Sequence, residues 1–207
     1  NRIRHLDYGV QFNGLMYERF LKDENITLFS PNDVPGLYDS FFANQKKFKK
    51  LYEKFEKDDS IRKQQINARE LFAMFMKERA NTGRIYLQNV DHCNTHGAFD
   101  PSQAPIKQSN LCMEITLPTK PLYSVQDKEG EVALCTLSAV NLGAIDSLDE
   151  LEDITDIIVR SLDSLLDYQD YPLKSAEITS SNRRTLGIGV TNLAYYLAKN
   201  DAKYSDG

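Results

Sequence analysis

Residues 67–90, NARELFAMFMKERANTGRIYLQNV, carry the clearest reading of the fold. Asn67, followed three residues later by Glu70, makes a capping-box-like start. Leu71, Phe72, Phe75 and Met76 form one apolar stripe, and Gly83 supplies the stop. The spacing predicts a helix over about 67–81. Past the glycine, Ile85, Tyr86, Leu87 and Val90 suit a pleated, buried surface, so 84–90 reads as a strand. A helix feeding directly into a strand points to an α/β layer fold.

The same periodicity argument extends to both sides. Upstream, the pattern over residues 35–57 is helical, with Phe48, Leu51, Tyr52 and Phe55 on a single face. Lys46, Lys47, Lys49, Lys50 and Lys54 fall mostly elsewhere, as expected of a solvated face rather than a partner grip. Downstream, 111–117 and 132–140 are extended candidates separated by the turn-like 126–130, either a hairpin or two separate barrel elements. Ser147 and Glu150 open a long amphipathic helix with Leu151, Ile154, Ile158, Leu162 and Leu165 on one face, ending before Pro172. The final segment runs from a glycine-containing stretch at 185–190 into a helix after Asn192.

Composition narrows the function classes. With 207 residues, 41% apolar and 27% charged, the chain has the ordinary globular balance and enough length for a sizeable core. No apolar run approaches the ~20 residues of a membrane span, and no secretory leader is visible. The net charge of −5 opposes general affinity for nucleic acid, although a nucleotide as small substrate stays open. Three cysteines, Cys93, Cys112 and Cys135, are too few for a disulfide scaffold and leave at least one thiol free, which fits a reducing, cytoplasmic setting. The start at Asn1 without Met and the stop at Gly207 suggest a piece cut from a longer chain.

The chemistry-bearing residues cluster near the middle. Asn110, Cys112 and Glu114 alternate, so on an extended backbone all three side chains share one face, about 6.6 Å apart along it. A thiol can become a thiyl radical, a carboxylate can accept a hydroxyl proton, and an amide can orient the group being removed. Together they suit radical chemistry on a polyol such as ribose. Taken alone, three residues at this spacing are weak support. His92, Cys93 and His96 have a spacing that could seed a zinc site with Cys112 as a further ligand, but no second paired motif completes it, and no metal is assigned. Gly187 and Gly189 lack the third glycine of a dinucleotide fingerprint, Asn192 standing in its place, and read as tight packing.

The string 109–122, SNLCMEITLPTKPL, closely resembles the active-site segment of class I ribonucleotide reductase large subunits. Further segments resemble the same family in order: 7–13 (DYGVQFN), 28–39 (LFSPNDVPGLYD), 78–86 (ERANTGRIY), 133–139 (ALCTLSA) and 183–190 (RRTLGIGV). The resemblance implies that residues 1–207 are one partial catalytic domain, part of a ten-stranded α/β barrel with flanking helices. It implies that Cys112 sits at the tip of a finger-like loop, where its thiyl radical takes the 3′ hydrogen of a ribonucleoside diphosphate. Glu114 would accept the 3′-hydroxyl proton, and Asn110 would bind the substrate and hold the ribose hydroxyl geometry; all three would contact substrate. Cys135 would be one of two cysteines that close to a disulfide as the 2′-hydroxyl leaves as water, its partner lying earlier in a longer chain.

The resemblance further implies a small subunit generating the radical at a diiron-tyrosyl site, a thioredoxin-like or glutaredoxin-like reductant, and the remaining part of the large subunit. No cofactor is expected to bind this chain directly. ATP and deoxynucleotide effectors, the early redox cysteine, a phosphate-binding loop, a radical-transfer tyrosine pair and a C-terminal dithiol are expected on other segments. None of the 11 tyrosines here is therefore assigned to the radical path. By itself the piece is expected to be inert, and a non-catalytic interaction fragment of the same assembly is the alternative reading.

Overall fold

The computed structural model describes residues 5–110 and 112–206. The chain divides between Thr119 and Lys120 into two compact units. The first contains β1 (Tyr8–Phe12), α1 (Gly14–Lys22), β2 (Asn25–Phe29), α2 (Leu37–Ala43), α3 (Gln45–Glu56), β3 (Lys63–Asn67), α4 (Ala68–Thr82), β4 (Ile85–Asn89) and α5 (Val90–Thr95). β1 and β4 pair in parallel, from Tyr8 opposite Ile85 to Phe12 opposite Asn89. Parallel neighbours cannot be joined by a tight turn, so the intervening chain passes through helices before returning. β2 and β3 form a separate antiparallel pair.

α4 and β4 follow the sequence reading closely. The Asn67 side chain accepts the backbone N–H of Arg69 at 2.9 Å and of Glu70 at 3.3 Å, satisfying donors that the first helical turn leaves open. Gly83 ends the helix in the left-handed region at φ 66°, where a Cβ would be penalised. Leu71, Phe72 and Phe75 pack on a core of Phe12, Met16 and Ala68, with Val10 and Leu87 alongside. The rings of Phe12 and Phe75 meet edge-on at 5.6 Å, which fixes β1 against the helix layer.

The helical pattern over 35–57 is realised as two helices, α2 and α3. Asn44 is extended at φ −156°, and its side chain accepts the N–H of Lys47 at 2.9 Å, so it terminates α2 and caps α3. The apolar face itself is as read, with Phe48, Tyr52 and Phe55 buried against Leu15, Val34 and Leu37. Lys46, Lys47, Lys50 and Lys54 are exposed, while Lys49 pairs with Glu18 at 2.6 Å.

The extended segment expected at 111–117 is not a strand. Its first residue, Leu111, lies outside the described residues; Cys112 and Met113 occupy a turn, and 114–119 run without regular structure. Asn110 breaks the ladder, because its side chain takes the N–H of Ile115 that a neighbouring strand would need.

The second unit holds β5 (Leu137–Asn141), α6 (Leu151–Tyr168), α7 (Lys174–Arg183), β6 (Gly187–Thr191) and α8 (Leu193–Lys199). β5 and β6 pair in parallel, from Leu137 opposite Gly187 to Asn141 opposite Thr191. The strand expected at 132–140 is thus confined to its second half. Ahead of it, Lys120 and Glu131 form an isolated antiparallel bridge, and Asp127 accepts the N–H groups of Tyr123, Glu129 and Gly130 in the loop between them. The Ser147 and Glu150 capping box is present in full, on a 3-10 turn that leads into α6. Leu151, Ile154 and Ile158 pack on Val140, Leu142 and Ile145. Farther along, Leu162 and Leu166 are buried, whereas Leu165, expected on that face, is 50% exposed. A Cβ on Gly187 would press against Leu137, so close packing accounts for that glycine; Gly189 has nothing near it. Among the described residues no helix is long and apolar enough to cross a membrane.

Candidate active site

The loop bearing Cys112 is fastened at its base, at its neck and from beneath. Its base is fixed to α5: Asn94 donates to the carbonyls of Val90 at 2.7 Å and Ile106 at 3.0 Å, and its side-chain oxygen accepts the Ile106 N–H at 2.8 Å. Ile106 is buried, so this amide satisfies backbone groups that water cannot reach. One residue on, the Lys107 carbonyl accepts from the Gln11 side chain at 2.7 Å. The same Gln11 nitrogen lies 2.8 Å from the Gln88 side-chain oxygen, tying the loop base to the paired strands β1 and β4.

At the neck, two adjacent polar residues hold the returning limb. Ser109 Oγ donates to the Ile115 carbonyl at 2.7 Å, and Asn110 Oδ1 accepts the Ile115 N–H at 3.1 Å. Met113 N–H donates to the Asn110 carbonyl at 3.2 Å, closing the turn that contains Cys112. Met113 has φ 71°, in the left-handed region. Its side chain is half-buried against Gly9 of β1, whereas Cys112 and Glu114 are exposed. A cavity of about 350 Å³ lies against the loop, lined by Gln11, Gln88, Gln108, Ser109, Asn110 and Met113 among others. Its walls are rich in amide donors and acceptors, which suits hydroxyl or base edges better than a hydrocarbon.

Asn110, Cys112 and Glu114 are therefore brought together on one tight loop, not along one face of a strand. Glu114 follows the thiol by two residues on the exposed side of the turn. Cys135 belongs to the second unit, where it is exposed two residues before β5; the adjacent Thr136 carbonyl accepts the N–H of Gly187 at 2.9 Å. Cys93 lies on α5, half-buried. Burial pushes its thiol pKa up, opposed by a hydrogen bond from Gln88 Nε2, 3.7 Å from the sulfur. The His92 and His96 rings are tilted by 60° with their centroids 5.0 Å apart. Among the described residues no group of three or more His, Cys, Asp or Glu side chains is placed to hold a metal ion.

Of the supporting residues, Gly9, Gln11, Ser109 and Met113 fall within the family-like strings 7–13 and 109–122 and Gln88 in neither, but no chemical motif marks any of them as a brace. A further signal was Gly9 between Tyr8 and Val10, since a glycine inside a strand often marks a close approach.

An α/β scaffold with parallel strand pairs and an exposed thiol on a braced loop defines the general class of this protein: a segment of an α/β enzyme core that presents a cysteine from a loop. A description of the ribonucleotide reductase barrel domain matches residues 1–207, and the chain belongs to that family. Over 207 residues it is 68% identical to ribonucleoside-diphosphate reductase 1 subunit alpha of Escherichia coli strain K12, and 65% identical to ribonucleoside-diphosphate reductase subunit alpha of Haemophilus influenzae. Identity to the subunit alpha of enterobacteria phage T4 is 51% over 209 residues. Each of these alignments covers 100% of this chain and 27% of the relative, so the chain spans about a quarter of the length of those proteins. Three two-stranded sheets are present among the described residues, and the strands and helices between Tyr8 and Lys199 are a portion of that barrel domain.

Proposed function

We propose that this chain is the thiol-bearing segment of a ribonucleoside-diphosphate reductase large subunit, and that Cys112 abstracts the 3′ hydrogen of the substrate. The observation that carries the reading is the turn closed from Asn110 to Met113, which presents the Cys112 thiol, with Glu114 two residues on and likewise exposed. A thiyl radical on Cys112 takes the C3′ hydrogen, becoming a thiol and leaving a carbon radical. Glu114 accepts the 3′-hydroxyl proton, the task of a general base within hydrogen-bond reach of that hydroxyl. Asn110 orients the ribose hydroxyls through its amide nitrogen, its oxygen being held by Ile115.

The 2′-hydroxyl then leaves as water. Cys135 and a second cysteine elsewhere in the large subunit supply two electrons and two protons and close to a disulfide. The hydrogen returns from Cys112 to C3′, regenerating the thiyl radical, and the proton held by Glu114 returns to the 3′ oxygen. Reduction of the disulfide by a thioredoxin-like or glutaredoxin-like protein completes the cycle. The radical itself would come from a diiron-tyrosyl site in a small subunit, and nucleotide effectors would bind other parts of the large subunit. The identity of the named relatives supports this placement, and a reducing, cytoplasmic setting fits a dithiol mechanism.

The test uses a 3′-tritiated ribonucleoside diphosphate, partly converted by the full large subunit carrying this segment together with a small subunit and a dithiol reductant. Cleavage of the C3′ bond slows labelled molecules, so tritium should accumulate in the unreacted substrate as conversion advances. Constant specific radioactivity at every conversion would count against hydrogen abstraction from C3′.

A further inference from the structure

We propose that Met113 is a positioning residue for Cys112: its side chain, seated on the bare Cα of Gly9, holds the left-handed turn that presents the thiol. This rests on the reading of Cys112 as the hydrogen-abstracting group and assigns a second residue to that task.

Two departures from ordinary local chemistry meet at this contact. Met113 adopts φ 71°, a conformation that a residue with a Cβ enters only at an energetic cost. Of the other non-glycine residues at positive φ, Asp23, Arg184 and Asp201 stand within two residues of a helix C-terminus, where this conformation is commonplace, and Asn192 is an asparagine, a residue type that tolerates it. Met113 has no such excuse among the described residues. Glycine would occupy its position without strain, so the turn itself does not call for a side chain there.

Gly9 is the complementary anomaly. Glycine weakens a strand, yet Gly9 lies inside β1, opposite Tyr86 of β4. A Cβ there would overlap the ε-methyl of Met113. One contact thus joins the glycine in the strand to the strained methionine in the loop, and a Cβ at Gly9 would be accommodated only by moving the end of the Met113 side chain. It also points the two neighbouring side chains in opposite senses, with Met113 packed inward and Cys112 exposed. Asn110 braces the turn from the polar side through Ile115, and Met113 braces it from the apolar side through Gly9.

Hydrogen abstraction depends on the distance from sulfur to C3′, and a misplacement of about 1 Å costs on the order of a hundredfold in rate. The residues that set this distance should therefore affect kcat far more than substrate KM. Three variants of the full large subunit, assayed with its small subunit and reductant, isolate the effect. Met113→Gly permits the turn but removes the anchor, and Gly9→Ala displaces the anchor. In the double variant Gly9→Ala/Met113→Leu the shorter side chain, lacking the ε-methyl, makes room for the new Cβ.

Both single variants are expected to lose about tenfold or more in kcat, with KM changed less than about twofold, and the double variant to regain most of the Gly9→Ala loss. Single variants with kcat within about twofold of wild type would overturn the proposal, as would a double variant no better than Gly9→Ala. Cys112→Ser run alongside separates two kinds of failure. If it is inactive while the single variants are fully active, the positioning role alone falls; if it retains turnover, the assignment of Cys112 falls and takes the positioning role with it.

Discussion

The side-chain oxygen of Asn110 accepts the backbone N–H of Ile115 at 3.1 Å, across the loop that carries Cys112. The amide therefore has a structural duty on its oxygen, while its nitrogen has no partner among the described residues, and the two can be separated by substitution. Aspartate keeps the acceptor but loses the donor; alanine loses both. If the nitrogen binds substrate, Asn110→Asp should fold with its loop intact yet lose about ten- to a hundredfold in kcat/KM, the cost of one buried hydrogen bond near the reacting centre. Steady-state kinetics check this, and an aspartate variant with wild-type kcat/KM would leave Asn110 a loop brace only.

Glu131 closes the loop that begins at Lys120. Burial tends to raise its carboxyl pKa, but hydrogen bonds from Lys120 and Arg183 outweigh this and hold it below the usual carboxylate range. A carboxyl depressed in the folded state stabilises it fully above the unfolded pKa of about 4.3, and that contribution is lost as pH falls through the lower folded value. Glu131→Gln should cost ~1–2 kcal/mol near neutral pH. The gap in thermal midpoint between it and wild type should narrow below about pH 4. A gap that stays constant down to about pH 3 would contradict this account of the loop.

Cys93 is set apart from the other two thiols by its environment. Burial favours its neutral form, so at a given pH less of it is thiolate than of an ordinary cysteine, despite the hydrogen bond from Gln88. Its alkylation by iodoacetamide should reach half its limiting rate above the ordinary thiol value of about 8.5. Gln88→Ala, which removes the opposing hydrogen bond, should move that midpoint higher. Peptide mapping across a pH series provides the measurement, and a midpoint at or below the ordinary value would argue against a structural role for this cysteine.

How far the sequence could be read depended on which physical signal each element carries. α4 was legible at both ends because Asn67 and Gly83 act locally, through a side-chain cap and a positive φ. α7 was not, because its buried residues are Ser175, Ala176, Thr179 and Ser180, small side chains that leave no apolar stripe. β1 and β3 are short and mostly polar or half-exposed, and only their pairing across the chain defines them. Asn44 divided a helix that its apolar pattern joined, since its side chain can serve as a cap without disturbing the stripe on either side.

The site shows the same division. Asn110, Cys112 and Glu114 were legible as residue types and by resemblance, but the alternation among them suggested a strand. The turn that replaces it depends on the Met113 backbone, and neither the contact with Gly9 nor the chain from Gln11 to Gln88 and Lys107 leaves a pattern in linear order.

The central claim is that Cys112 is the hydrogen-abstracting group. The most direct test is deoxynucleotide formation by the full large subunit carrying Cys112→Ser, with its small subunit and reductant present and ribonucleoside diphosphate binding measured on the same preparation. The account predicts binding within about threefold of wild type, because the serine preserves the loop, and no deoxynucleotide above background, because a hydroxyl cannot replace the thiyl radical. Deoxynucleotide formation by the serine variant at a rate approaching wild type would contradict it.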